Sequence, residues 1–264
     1  MKGRVLIVAG SDSGGGAGIQ ADVKTVTALN GYAATAITAL TAQNTLGVHG
    51  VLGIDPAFIR RQIEVVLEDI GADCIKTGML HSSPVIAAVV ESLADVKVPL
   101  VVDPVMIAKG GASLLDPDAI QLMKSGLIAR ATVLTPNVPE AEALTGRRIE
   151  TLDDMRRAAS DLRAMGAGTV VLKGGHMRGA LVQDLIDGEA GSFVLESPRI
   201  ETAHTHGTGC TLASAIATGI AQGLALRAAI ERARAYVIKA IETAPGFGRG
   251  HGPLNHAHTV RDDG

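Results

Sequence analysis

Short β-branched runs alternate with helical patterns along this chain of 264 residues, and no other feature narrows its fold as much. Residues 5–9, 34–40, 73–77, 100–102, 132–134 and 169–172 read as strands. Residues 180–186 and 191–196, separated by Asp187-Gly188-Glu189, read as a hairpin. The stretch near 56–70 sets Ile59, Ile63, Val66, Leu67 and Ile70 on one helical face, with Arg60, Arg61, Glu64 and Glu68 opposite. Residues 153–165 repeat that pattern, and 19–29 also reads as helix. Asp55-Pro56, Ser83-Pro84 and Asp116-Pro117 each offer a cap followed by proline at the first helical position. Strands apolar throughout are covered on both faces, and α-β alternation makes them parallel. The prediction is a three-layer α/β/α sandwich with a central, mainly parallel sheet. With no linker, repeat or low-complexity stretch, one domain over 1–264 is expected.

Composition removes several function classes. The net charge is −3 with no long basic run, which disfavours nucleic acid and anionic membrane. Aromatics are 2% with no tryptophan, so the stacking platform of a single-strand binder is missing. Two cysteines, Cys74 and Cys210, make no disulfide framework, and Cys74 sits in a strand-like run as core. The first apolar run is too short for a signal peptide or a membrane span. A reducing cytoplasm is the expected setting.

Ligands of such sheets bind beyond the carboxyl ends of the strands, and the polar loops fall there. They are Gly10-Ser11-Asp12 with the glycines that follow, Thr41-Ala42-Gln43-Asn44, Gly78-Met79, Asp103-Pro104-Val105-Met106, Asn137-Val138-Pro139-Glu140 and Lys173-Gly174-Gly175-His176. His206-Gly207-Thr208-Gly209-Cys210-Thr211 precedes an apolar helical run. Its glycines and the unpaired amides of the helix start suit a phosphate, and the same position is expected to shift the Cys210 thiol toward thiolate. Other readings fit less well. Gly16-x-Gly18-x-x-Ala21 matches a dinucleotide fingerprint but lacks the ribose-binding acid, so a nicotinamide oxidoreductase is disfavoured. No P-loop motif occurs. His204-x-His206-x-x-x-Cys210 has no Cys-x-x-Cys to complete a zinc set, and a Cys210–His206 acyl-transfer pair has no assignable orienting acid. Met79 could be core, Asp22 a helix cap, and Asn137 and Glu140 a turn and a first-turn acid.

Taken together, residues 10–22, 41–45, 76–79, 103–106, 135–140, 173–176, 206–211 and 250–256 closely resemble the hydroxymethylpyrimidine kinase / hydroxymethylpyrimidine phosphate kinase family of thiamine biosynthesis, within the ribokinase-like superfamily. The resemblance covers nearly the whole chain in the right order. It implies ATP- and Mg²⁺-dependent phosphorylation of 4-amino-5-hydroxymethyl-2-methylpyrimidine and then of its monophosphate. It implies that Cys210 stands where sugar kinases hold an aspartate base, and that Gly207, Thr208 and Gly209 with Cys210 form an anion hole. Gln43 becomes the main pyrimidine contact, with Met79 on the ring and Asp22, Gly10 and Val105 around it. Lys173, Asn137 and Thr205 fall to the nucleotide, and Glu140 and Asp103 to the metal. A homodimer is expected, and a pyridoxine or pyridoxal kinase is the competing reading. The 250–256 segment carries no assigned role. The geometric expectation is that Cys210 and Gln43 face one shared hollow.

Overall fold

The computed structural model describes residues 1–106, 117–189 and 191–260. β1 (Arg4–Asp12) leads into α1 (Gly18–Ala28), then β2 (Tyr32–Asn44), β3 (Gly47–Gly53), α2 (Pro56–Asp69), β4 (Cys74–Thr77), α3 (Ser83–Ser92) and β5 (Leu100–Val102). α4 (Pro117–Leu122), β6 (Val133–Leu134), α5 (Val138–Thr145), α6 (Leu152–Ala164), β7 (Thr169–Leu172), β8 (Leu181–Gly188), β9 (Gly191–Pro198), α7 (Thr208–Ala221) and α8 (Leu226–Glu242) follow.

Among the described residues the strands form one sheet in the order β3-β2-β1-β4-β5-β6-β7-β8-β9. The six strands from β2 to β7 in that row run parallel, while β3 pairs antiparallel with β2 at one edge and, at the other, β8 pairs antiparallel with β7 and β9 with β8. Alternation along β1 builds both cores. Leu6 and Val8 join Ile59, Ile63, Ile86, Leu144 and Leu162 under α2, α3, α5 and α6. Val5 and Ile7 join Val26, Ile216, Ile230 and Tyr236 under α1, α7 and α8. The result is the expected three-layer sandwich.

The differences from expectation lie at the edges. β3 has no counterpart in the sequence reading: it carries Gly47, Gly50 and Gly53 and is mostly exposed, so it shows neither an apolar run nor an in–out alternation. β1 and β2 run on past their apolar stretches, which places Ser11, Asp12 and Thr41–Asn44 inside strands rather than in loops. Asp55 caps α2 as expected, accepting from the Ala57 and Phe58 amides. α3 starts one residue early, with Ser82 at the cap and Ser83 already helical. The Asp116 cap expectation lies outside the described residues.

The strand order turns back between β1 and β4, since β2 lies on one side of β1 and β4 on the other. That switch point opens a crevice at the carboxyl ends of both strands.

Candidate active site

A cavity of about 580 Å³ occupies the crevice. Gly10, Ser11 and Asp12 from β1, Thr41 and Gln43 from β2, Lys76 and Met79 from and after β4, and Asp103 and Val105 after β5 line it. His206, Gly207, Thr208, Gly209 and Cys210 close the far side, so Cys210 and Gln43 do share one hollow. Val48 and Val51 of the unforeseen β3 complete the wall beside Gln43. A second cavity of about 340 Å³ adjoins it, with Val182, Ile200, Leu212, Val237, Ile238 and Ile241 among its lining. The two share Asn137, Lys173, His176, Thr205, Thr208 and Gly209 as a common boundary.

α7 begins at that boundary. Its cap, Gly207, has φ +87°, and a Cβ there would strike the Gly16 carbonyl. Glycine therefore lets the helix start lie against the loop after β1. A Cβ on Gly209 would lie 3.1 Å from Lys173 Nζ, so the first-turn backbone sits beside that ammonium. Cys210 departs from expectation. Burial pushes its thiol up to about 12, although Lys76 pulls the other way. Desolvation outweighs the helix end, and Cys210 stays a thiol at neutral pH.

Lys173 Nζ lies 3.1 Å from Asp103 Oδ1 and 3.9 Å from Glu140 Oε2. Burial lowers the Lys173 pKa, but Asp103 and Glu140 outweigh it and the net shift is upward. Two carboxylates meet one lysine here. Burial first, with Asp103 adding repulsion, raises Glu140 to about 7 against the pull of Lys173. Asn137 and Glu140 also form a capping box for α5: Asn137 Oδ1 accepts from the Glu140 amide at 2.9 Å, and Glu140 Oε2 from the Asn137 amide at 2.7 Å. The structural reading of this pair, a turn and a first-turn acid, is the one the hydrogen bonds show. The box occupies one oxygen of Glu140 and leaves the side-chain amine of Asn137 for the cavity. Among the described residues no group of three His, Cys, Asp or Glu side chains gathers as a metal cage. Two carboxylates at the boundary of two cavities, Asp103 and Glu140, nevertheless fit Mg²⁺, which commonly takes one or two protein oxygens and completes its shell with water and nucleotide.

Asp22 does not line the cavity. It has no exposed surface, and both oxygens lie 2.9 Å from Lys76 Nζ, with Ser214 Oγ donating to Oδ1 at 2.7 Å. Its carboxylate holds Lys76 in place instead of meeting a ligand. Lys76, fully buried, was not assigned a role from the sequence; a lysine in a strand reads as surface until the sheet is assembled. Burial acts to lower its pKa and Asp22 outweighs this, so it stays charged.

The 250–256 segment braces the whole arrangement. The His251 amide donates to the Thr45 carbonyl at 2.8 Å, and the His206 amide to the Gly252 carbonyl at 3.2 Å. His256 Nε2 lies 2.9 Å from Thr211 Oγ1, and Tyr236 donates to the His256 carbonyl at 2.6 Å.

The phosphomethylpyrimidine kinase family model matches residues 12–255. The chain is 54% identical over 267 residues to the thiamine biosynthesis bifunctional protein of Geobacter sulfurreducens, covering 99% of this chain but 54% of that longer protein. It is 48% identical to the hydroxymethylpyrimidine/phosphomethylpyrimidine kinase of Bacillus subtilis, covering 96% of this chain and 94% of that one. Among solved structures, phosphomethylpyrimidine kinase from Clostridium difficile is 41% identical with a TM-score of 0.81, covering 91% of this chain and 100% of that one. An ADP complex of Bacillus subtilis pyridoxal kinase is 35% identical with a TM-score of 0.89, covering 97% and 98%.

Proposed function

The chain belongs to the phosphomethylpyrimidine kinase family, and from that premise we propose that its two joined cavities carry out the family's phosphoryl transfers. It is a hydroxymethylpyrimidine/phosphomethylpyrimidine kinase of thiamine biosynthesis. The observation that supports this use of the site is the shared boundary. One cavity is lined by Gln43, Asp12 and His206 and ends at Cys210, the other has an apolar wall fit for a nucleobase, and Lys173 and Gly209 stand where they meet.

In this reading the pyrimidine lies against Met79, Gly10 and Val105, with Gln43 reading its edge. ATP occupies the second cavity, its phosphates reaching the amides of 207–210, Lys173, Thr205 and the Asn137 amine. Asp103 and Glu140 would hold Mg²⁺, which when bound neutralises charge on the phosphate oxygens. Phosphoryl transfer has a loose transition state, so positioning and charge stabilisation dominate. A protonated Cys210 is then a hydrogen-bonding partner of the attacking hydroxyl and not a resting base. The hydroxyl loses its proton late, and the transferred phosphate, with a second pKa of about 6, is an adequate acceptor. In the second step the nucleophile is already an ionised phosphate oxygen, and Cys210 has less to do.

The test is purified protein with Mg-ATP and 4-amino-5-hydroxymethyl-2-methylpyrimidine, products separated as mono- and diphosphate. Both are expected in sequence. The pyridoxal kinase likeness supports a second reading, in which pyridoxal is also accepted. A parallel reaction with pyridoxal decides it, and consumption of pyridoxal alone would overturn the pyrimidine assignment.

A further inference from the structure

Thr41, Gln43, His206 and Asp12 form one chain of polar contacts along the cavity wall. Thr41 Oγ1 lies 2.9 Å from the Ser11 carbonyl oxygen and 3.1 Å from the near end of the Gln43 amide. The far end of that amide lies 3.2 Å from His206 Nε2, which lies 2.9 Å from Asp12 Oδ2. As drawn, Oε1 faces Thr41 and Nε2 faces His206.

Counting hydrogens argues for the opposite orientation, a half-turn of the amide away. Thr41 has one hydroxyl hydrogen, and the nearer Ser11 carbonyl takes it. The Gln43 group beside Thr41 must then donate, so it is the amine. Asp12 is an acceptor: burial acts to raise its pKa, but His206 and the Gly14 and Ala17 amides prevail and hold it below the usual carboxylate range. His206 Nε2 therefore carries the hydrogen that Asp12 receives. A nitrogen that donates cannot also accept from an amine, so the Gln43 group beside it is the carbonyl. Both ends select the same state.

We propose that Thr41 and the Asp12–His206 pair lock the Gln43 amide with its N–H toward Thr41 and its carbonyl toward His206, and that this lock makes the site select a 4-amino over a 4-oxo pyrimidine. The inference rests on the kinase reading above. After these contacts Gln43 keeps one hydrogen and one lone pair for a ligand, in fixed order. The substrate's ring nitrogen accepts and its neighbouring amine donates. The amine carbon adjoins the carbon bearing the hydroxymethyl group, and that group must reach the loop that follows His206. The amine thus falls on the His206 side, where the carbonyl waits, and the ring nitrogen on the Thr41 side. A 4-oxo ring presents N–H and C=O in reverse and requires the amide to turn. Thr41, His206 and Asp12 act through Gln43 and are positioning residues.

The experiment compares kcat/KM for 4-amino- and 4-oxo-5-hydroxymethyl-2-methylpyrimidine in wild type, Thr41→Val, Thr41→Ser and His206→Leu. Wild type is expected to prefer the amino compound by about 100-fold or more. Thr41→Val narrows that ratio about tenfold, mainly through the pyrimidine KM, while the KM for ATP holds. Thr41→Ser, which keeps the hydroxyl, restores the preference, and His206→Leu narrows it as Thr41→Val does. The ratio is internal to whatever fraction of each variant folds. If both variants keep the full preference, or Thr41→Ser loses it like Thr41→Val, the lock is overturned while the kinase reading stands. If wild type phosphorylates neither pyrimidine, the kinase reading itself falls and the lock with it.

Discussion

Two lysines at the carboxyl edge of the sheet have opposite fates. Lys76, at 0% side-chain exposure, is matched one to one by Asp22, also at 0%. Lys173 keeps 15% of its side chain exposed and answers to two carboxylates, Asp103 and Glu140. The first pair is neutral as a unit and is walled in by α1 and α7. The second cluster carries a surplus negative charge and opens onto both cavities. A buried pair matched charge for charge holds shape; an unbalanced cluster at a boundary is left with something to bind.

Four measurements would break or sharpen that contrast. The largest effect is on folding. Lys76→Met strands Asp22 as a buried lone charge and should remove about 3–5 kcal/mol of stability in urea unfolding, with much of it recovered in the Lys76→Met/Asp22→Leu double variant. A double variant no more stable than the single one would deny the pair its isolated character. Next, Lys173→Met should cut kcat/KM by about 100- to 1,000-fold, in line with loss of a transition-state donor, at a smaller loss of stability than Lys76→Met. The contrast fails if the two variants lose activity and stability in the same proportion.

Cys210 lies within the field of both lysines. Cys210→Ala should slow the first phosphorylation about tenfold and the second much less, since only the first nucleophile carries a proton. Single-turnover rates for alcohol and monophosphate decide this, and equal losses would point to packing. The smallest effect is a pH slope. Glu140 titrates near 7 in the fold, above its ordinary 4.5. Below about 4.5 it is protonated folded or unfolded; between 4.5 and 7 the folded chain binds the proton more tightly. Its contribution to stability is therefore present at low pH and lost as pH rises through 7. In metal-free buffer, wild type minus Glu140→Gln stability should fall across that window, and a flat difference would show that the surplus charge is relieved some other way.

The central fold was legible because buried parallel strands need β-branched runs, and residues 100–102 and 169–172 were bounded to the residue. β3 was not, because an exposed edge rich in glycine carries no pattern. The carboxyl-edge residues could be placed from strand ends, which brought Gln43, Met79, Asp103 and Lys173 to one cavity, and the glycine-flanked helix start brought Cys210 to it. What stayed hidden depended on distant partners. Asp22 and Lys76 are 54 residues apart in the chain and define one another only when β4 lies beside β1. The Cys210 thiol was misjudged for the same reason: a helix start is local and visible, whereas the burial that overrides it comes from the whole sheet. The hydrophobic wall of the second cavity joins Val182 to Ile241 and has no signature in either segment.

The brace formed by residues 250–256 has a consequence for biosynthesis. His206 and Thr45 are held by backbone groups that a ribosome delivers about 200 residues after Thr45. The Gln43 wall and the turn at 206–211 are therefore translated before the segment that pins them together. A nascent or prematurely terminated polypeptide would carry the cavity's residues without their final clamp.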